Sequence, residues 1–352
     1  MIASIRRFRA DGMEWTLPRY TKKHVDRAGR VLAADHSSDD ERYEALEVLD
    51  NWRASHNFPL NTFQIGLRKK SRDVDAGALV AQRLKRIPSI IKKLQRFPGM
   101  SLARMQDIGG CRAVLDDVRQ VREVVRSYRE SGIKHALVSE KDYIDHPKDS
   151  GYRGVHLVYR YNSDRNQTYN SLSVELQIRS RIQHCWATAV ETMGTFLSQS
   201  LKSSEGEDDW LEFFAYTSSA FAFKEGTPAL NCHPDRKRVI KEVNEYKRKL
   251  SVVEKLGSYG HALRTIEENT TSDAYYLMVL RPAAGTLEIV GYKRQDLDRA
   301  TQDYIQAEQR VGKELGSEAV LVKTESIAAL RSAYPNYFLD TQRFLSELAD
   351  IA

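Results

Sequence analysis

The segment LSVELQIR, residues 172–179, constrains the fold of this chain more than any other stretch. Its apolar and polar residues alternate without a break, which is typical of a β-strand with one buried face. The apolar set is Leu172, Val174, Leu176 and Ile178, and the polar set is Ser173, Glu175, Gln177 and Arg179. The polar face is either an ordinary solvated surface or the wall of a site.

The neighbouring segments predict an α/β fold with a mixed β-sheet. VHLVYRY is a plausible partner strand for LSVELQIR, and VAQRLKRI suits a further strand that places Arg83 and Lys85 on one face. Pro88 and Ser89 then offer a helix start before IIKKLQRF. We therefore expect a strand, a turn and a helix with several cations at one corner of the sheet.

Charge is unevenly distributed along the chain, whose formal net charge is +6. Between Arg68 and Arg96 there are ten Lys or Arg residues against only two acids, whereas from Asp296 to Ala352 ten acids face six bases. A basic body attracts phosphates or nucleic acid, and an acidic tail is able to lie over the same surface. The alternative is that both stretches are simply solvated.

Composition predicts a cytoplasmic globular protein. Hydrophobic residues make up 41% of the chain and charged residues 29%, and no apolar run approaches the roughly 20 residues of a membrane helix. The N-terminus lacks the apolar stretch of a secretory signal. Cys111, Cys185 and Cys232 form no C-x-x-C pair, so neither a disulfide framework nor a zinc site is indicated.

Several polar residues stand where a loop or strand meets the next element. Asp107 precedes Gly109 and Gly110 and is either a turn residue or a metal ligand. His184 falls on the helix after LSVELQIR, where a lone histidine is usually structural. The loop HPKDSGYRGVHLVY brings together Lys148, Tyr152, Arg153 and His156 just as it becomes a strand.

The order of these motifs resembles the synthetase domain of the RelA/SpoT alarmone family over roughly residues 78 to 195. Five motifs carry the resemblance: R-x-K-x-x-x-S-I-x-x-K-L from Arg83, D-I-x-x-x-R from Asp107, P-K-x-x-G-Y-x-x-V-H from Pro147, V-E-x-Q-I-R from Val174 and H-x-W-A from His184. The resemblance implies a mixed-sheet, nucleotidyltransferase-like domain that transfers pyrophosphate from ATP to a ribose 3′-hydroxyl.

The resemblance also implies a role for each matching residue. Arg83 and Arg112 would sandwich the adenine of ATP, while Asp107 and Glu175 would bind Mg²⁺ and Glu175 would help to deprotonate the acceptor hydroxyl. The remaining ATP-binding residues are Lys85, Ser89 and Lys93, of which the two lysines hold phosphates. The acceptor-binding residues are Lys148, Tyr152, Arg153, His156, Gln177, Arg179 and His184, with Tyr152 stacking on the base.

Departures from the family pattern narrow the expectation. Glu191 is followed by Thr192 where many members have histidine, and no His-Asp dipeptide occurs in the sequence. The long members carry a hydrolase domain built on such a pair, so we expect synthesis without hydrolysis.

The C-terminal part predicts a small α+β domain of two strands, a helix, a strand and a helix. We place the synthetase domain at residues 1–265 and this regulatory domain at 266–352. Tyr334 and Tyr337 flank Pro335-Asn336, either as packing or as function. The arrangement is similar to fused toxin-antitoxin synthetases of the CapRel type, in which a tethered domain with two tyrosines covers the ATP site.

Three functions are consistent with the sequence. The CapRel resemblance implies a phage-defence toxin that pyrophosphorylates the 3′-CCA end of tRNA and is released by a phage structural protein. A synthetase making (p)ppGpp from GDP or GTP is the second, because Tyr152 is able to stack on either kind of base. The third is a non-catalytic RNA-binding module. We expect neither membrane nor DNA as a partner.

Overall fold

A nine-stranded mixed sheet organises the protein. The computed structural model describes residues 8–10, 13–34, 36–196, 208–256, 264–268, 274–281, 284, 286–312, 314, 317–324, 328, 330–331 and 341–351. The predicted α/β class with a mixed sheet is confirmed.

The helices of the described residues include one that begins next to the predicted start at Pro88 and Ser89 and one that carries His184, as predicted. None of these helices is long and apolar enough to cross a membrane. They are α1 (Lys22–Ala33), α2 (Asp39–Ser55), α3 (Asn57–Val74), α4 (Ile87–Arg96), α5 (Val118–Arg129), α6 (Arg181–Phe196), α7 (Asp208–Glu225), α8 (Arg236–Lys249), α9 (Leu297–Val311) and α10 (Gln342–Ala349).

The strands comprise a short N-terminal pair and the large sheet. The pair is β1 (Phe8–Ala10) and β2 (Met13–Trp15). The large sheet contains β3 (Leu79–Leu84), β4 (Gly109–Leu115), β5 (Ala136–Asp142), β6 (Val155–Arg160), β7 (Ser173–Ser180), β8 (Arg264–Glu268), β9 (Ala274–Arg281), β10 (Thr286–Tyr292) and β11 (Glu318–Thr324). Its spatial order is β5-β6-β7-β4-β3-β11-β9-β10-β8.

Strand β7 lies between β6 and β4 and defines the two faces of the sheet. It runs antiparallel to β6, with His156 opposite Gln177, and parallel to β4, with Gly110 opposite Glu175. Residues opposite one another point to the same face, so His156, Glu175, Gln177 and Arg179 share what we call the front face. The back face carries the fully buried Val174, Leu176 and Ile178.

Helices cover the back face with one continuous apolar core. Helices α3 and α5 contact β7, and α9 contacts β9 and β11. Residues as distant in sequence as Leu60, Leu176 and Tyr304 belong to the same buried cluster. The core therefore extends from β6 to β9.

The sheet also continues across the predicted domain boundary. Strand β11 pairs with β3 at two positions, where Val322 faces Arg83 and Lys323 faces Gln82. The predicted boundary between residues 265 and 266 falls within β8, which pairs in parallel with β10. The C-terminal segment contributes the expected β9, β10, α9, β11 and α10 in that order.

A second apolar cluster lies among α6, α7, α8 and α10. The Trp186 indole donates to the Phe214 carbonyl at 2.9 Å, and Phe344 of α10 is fully buried against Phe213, Phe214 and Phe221. Tyr152 belongs to this cluster. The aromatic residues of α7 thus pack against the loop before β6.

His56, between α2 and α3, makes stability depend on pH. Burial lowers its pKa to about 4 from the usual 6.5, although the 2.7 Å contact of Nδ1 with the Trp52 carbonyl acts in the opposite direction. Above pH 6.5 the ring is neutral in both states. Between pH 6.5 and 4 the unfolded chain takes up a proton that the folded chain does not. The free energy of unfolding therefore decreases as the pH is lowered through this range.

We expect His56 to account for about 2 kcal/mol of the stability lost between pH 7.5 and 5. Urea unfolding at both pH values measures the loss, which should shrink by about that amount in His56→Gln. His36 is exposed, and His36→Gln is the matched control. Equal losses in the two variants would contradict the assignment.

Candidate active site

A chain of hydrogen bonds joins five side chains of the front face. The Arg179 guanidinium donates to the Tyr152 hydroxyl at 2.5 Å, and this hydroxyl lies 2.5 Å from Nε2 of His156. His156 Nδ1 lies 2.9 Å from Oε1 of Glu175, and the Gln177 amide donates to Oε2 at 2.7 Å. Because the ionised Glu175 only accepts, the neutral His156 ring donates to it from Nδ1 and accepts at Nε2 from the Tyr152 hydroxyl, which itself accepts from Arg179. All five were predicted site residues, and the fold brings them together.

Two cations lie close to the Tyr152 ring. The guanidinium carbon of Arg179 lies 4.8 Å from the ring centroid, and the Lys148 ammonium lies 5.1 Å from it. Lys148 is also 4.5 Å from the centroid of Tyr143, a residue that the sequence analysis did not single out. Since Tyr152 is only 3% exposed, a base can stack on this ring only after neighbouring side chains move.

The second part of the site is a cationic corner where β3 leads into α4. Lys85 Nζ donates to Oδ2 of Asp107 at 2.9 Å, and Lys93 Nζ lies 3.0 Å from each carboxylate oxygen. Lys85 directly follows β3, and its backbone N–H donates to the Ile108 carbonyl at 2.8 Å. The pairing of β3 with β4 and the short turn into α4 therefore bring both lysines to one carboxylate.

The two half-buried carboxylates are held ionised by their neighbours. Burial acts to raise the pKa of Asp107, but the charges of Lys85 and Lys93 outweigh it and lower that pKa. Burial likewise opposes ionisation of Glu175, whereas His156, the Gln177 amide and Lys85 together hold the pKa well below its usual range. Burial and the nearby Arg179 and Lys148 charges lower the pKa of His156, which favours the neutral ring.

Asp107 and Glu175 lie close enough to influence each other. The Glu175 charge acts to raise the pKa of Asp107, and Lys85 acts on both carboxylates. Parallel pairing of β4 with β7 places Gly110 opposite Glu175, so both acids lie near the same end of the sheet. Mg²⁺ usually takes one or two carboxylates and completes its shell with phosphate oxygens and water. This pair fits that donor set.

The predicted adenine-binding arginines occupy adjacent strands of the front face. Arg83 of β3 faces Gly110 of β4, while Arg112 of β4 faces Ala81 of β3. Each long side chain is thus opposite a residue with at most one side-chain carbon. Arg112 also faces Gln177 of β7. Ser89 lies in the first turn of α4, beside the cationic corner.

Two predicted acceptor residues lie apart from the hydrogen-bonded chain. The buried Arg153 donates to the Ser218 hydroxyl of α7 at 3.0 Å and to the Ile144 carbonyl at 3.3 Å, and burial lowers its pKa to about 10. It ties the loop to α7, a contact that no local sequence signal identifies. His184 is buried on α6. Tyr334 and Tyr337 fall outside the described residues.

These features define an α/β protein with a phosphate-attracting polar site on one face of its sheet. Residues 82–195 match the family model described as the region found in RelA/SpoT proteins. This match confirms the resemblance seen in the sequence over nearly the same residues.

Similar proteins include two curated relatives from Bacillus subtilis (strain 168). GTP pyrophosphokinase YjbM is 34% identical over 114 residues, which cover 31% of this chain and 52% of the relative. GTP pyrophosphokinase YwaC is 30% identical over 115 residues, covering 30% and 52%. The chain thus spans about half the length of these curated relatives.

Solved structures give a similar result. Small alarmone synthetase 1 from Bacillus subtilis, bound to its product pppGpp, is 22% identical with a TM-score of 0.44, covering 51% of this chain and 94% of that chain. A GTP pyrophosphokinase family protein from Streptococcus pneumoniae is 27% identical with a TM-score of 0.40, covering 47% and 83%.

Gly154 allows the close approach of the loop to Arg179. Its φ is +140°, and a Cβ atom there would lie 2.9 Å from Cγ of Arg179. We expect Gly154→Ala to lower the free energy of unfolding by about 1 to 3 kcal/mol, because the backbone is strained and Arg179 must shift. Chemical denaturation measures the loss.

Gly99→Ala is the control for this prediction. A Cβ atom added at Gly99 has no neighbouring atom within 4 Å, so the free energy of unfolding should stay within about 0.5 kcal/mol of that of the parent chain. Equal stability of the two variants would contradict this expectation.

Proposed function

We propose that this protein is a pyrophosphokinase that transfers the pyrophosphate of ATP to a ribose 3′-hydroxyl. The observation that carries the proposal is the pair Asp107 and Glu175, which joins the cationic corner to the hydrogen-bonded chain that includes Tyr152. Such a site has charge for phosphates on one side and an aromatic ring for a base on the other. Two relatives are named GTP pyrophosphokinases, which supports the same chemistry.

The cationic corner supplies the donor side of the proposed reaction. Lys85 and Lys93 both bond to Asp107, and the phosphates of ATP would draw these ammonium groups away from it. Bound Mg²⁺ at Asp107 and Glu175 would add positive charge near the transferred group. Phosphoryl transfer depends mainly on such positioning and charge neutralisation.

Glu175 is the proposed base on the acceptor side. The acceptor 3′-oxygen forms a bond to the β-phosphorus of ATP, the bond from that phosphorus to the α–β bridging oxygen breaks, and AMP leaves. The hydroxyl proton passes to Glu175, whose two oxygens are already oriented by His156 and Gln177. Reach and orientation toward the hydroxyl matter more here than basicity.

For the acceptor we propose the 3′-CCA end of tRNA, with phage defence as the biological role. The basic body of the chain and the CapRel-like C-terminal segment support this choice. The alternative is GDP or GTP, giving (p)ppGpp, and the names of the relatives support that alternative. Tyr152 suits both because ring stacking tolerates any base.

Offering both acceptors to the full-length enzyme discriminates between them. With ATP labelled on its γ-phosphate, we expect label on intact tRNA and none on tRNA whose 3′-terminal ribose has been oxidised with periodate. Label on GDP or GTP alone establishes the alternative. If every acceptor shows only background labelling, the non-catalytic RNA-binding module is the remaining function.

Glu175→Gln tests the proposed mechanism in the same assay. The amide keeps the size of the side chain but removes the charge and the base, so we expect at least a 100-fold loss of transfer. Glu123 is exposed on α5, and Glu123→Gln should retain the parent rate. Persistent transfer by Glu175→Gln would exclude Glu175 as the base.

We also propose that the C-terminal segment inhibits the enzyme until a phage structural protein binds it. A tethered ring is present at high effective concentration and would cover the ATP site. Removing that ring in Tyr337→Ala should therefore arrest growth more strongly than the unmodified chain does when each is expressed without phage. Colony counts after induction measure the difference. An equally toxic full chain would remove the inhibitory role.

A further inference from the structure

The cationic corner is supported from behind by the C-terminal part of the chain. The backbone N–H of Ile87, the first residue of α4, donates to Oε1 of Glu308 on α9 at 2.7 Å. The first amides of a helix have no partner within the helix, and the preceding residue, Arg86, has a side chain that can only donate. A buried carboxylate from 221 positions further along the chain therefore caps the helix that carries Lys93.

Arg53 extends this support to the backbone of Lys85. Its Nε donates to the Lys85 carbonyl at 3.0 Å, and its guanidinium donates to the Tyr304 hydroxyl of α9 at 2.8 Å. The same guanidinium lies 3.6 Å from Oε2 of Glu308 and 5.1 Å from the centroid of the Tyr304 ring. Arg53 is only 2% exposed, so this ion pair is shielded from solvent and sensitive to small displacements.

A second contact fixes the same turn from the adjacent strand. Arg86 forms an ion pair with Glu318, the first residue of β11. The pairing of β11 with β3 ends close by, at Val322 and Arg83. Three consecutive residues, Lys85 to Ile87, are thus held by contacts that include C-terminal side chains.

We infer that Glu308 is a positioning residue for the cationic corner, where ATP is proposed to bind. It does not touch Lys85 or Lys93. By capping α4 at Ile87 and pairing with Arg53, it fixes where β3 turns into α4, and therefore where both ammonium groups meet Asp107. This inference rests on the proposed function, because it assigns to Glu308 an effect on the binding of ATP.

The experiment measures binding of a non-hydrolysable ATP analogue to the full-length protein by calorimetry, together with KM for each substrate. We expect Glu308→Ala to weaken analogue binding and to raise KM for ATP by about tenfold or more. KM for the acceptor should remain within about twofold. A general loss of folded structure would instead affect both substrates.

Two further variants separate positioning from charge and from folding. Glu308→Gln keeps an oxygen that can accept from Ile87, so it should bind the analogue more tightly than Glu308→Ala. Glu308→Asp retracts the carboxylate and should weaken binding even if the alanine variant does not fold. The matched control is Asp303→Ala, on the same helix, because Asp303 accepts from Tyr292 at 2.9 Å within the C-terminal part.

The results distinguish this inference from the proposed function. If the parent chain does not bind the analogue, the proposed function fails. If the parent binds and Glu308→Asp binds equally well, the positioning role of Glu308 is overturned. Weakened binding in Asp303→Ala to the same extent would also overturn it, because the effect would then be general to α9.

Discussion

The parallel pairing of β4 with β7 is the constraint on which the site depends. Asp107 lies just before β4, and Glu175 lies in β7. The register that sets Gly110 opposite Glu175 brings both acids to the same end of the sheet. A shift of one residue would turn Glu175 into the apolar core and expose Val174 or Leu176. The buried back face therefore fixes the chemistry of the front face.

The two half-buried carboxylates are stable here because each has hydrogen-bond partners. An unpaired carboxylate inside a protein is very costly, whereas a fully satisfied network is rigid. Asp107 bonds to two lysines, and Glu175 receives hydrogen bonds from His156 and Gln177. The network is thus held in place before any ligand arrives, so a ligand must offer charges that replace these bonds.

The local sequence pattern predicted the strands and residues of the site, but not the distant contacts that hold them in place. Alternation in LSVELQIR identified the polar face of β7, and ordered motifs identified the residues around it. Arg153 was predicted to contact the acceptor, and its side chain donates to Ser218 of α7. The burial of Arg153 depends on this helix, which is distant in sequence, so the residues around Arg153 do not predict it. The link between Ile87 and Glu308 spans 221 positions. The continuity of the sheet through β3 and β11 is equally non-local, since only two pairs of residues form it.

The position of β11 has a consequence for how the molecule is made. On the ribosome, β3, β4, β6 and β7 emerge well before residues 308 to 324, so β3 has an open edge and α4 an uncapped start until late in synthesis. Domains generally begin to fold during translation, N-terminal parts first. A nascent chain thus lacks these supports of the cationic corner until residues 308 to 324 have been synthesised. Completion of the corner therefore waits for a residue 221 positions beyond the start of α4.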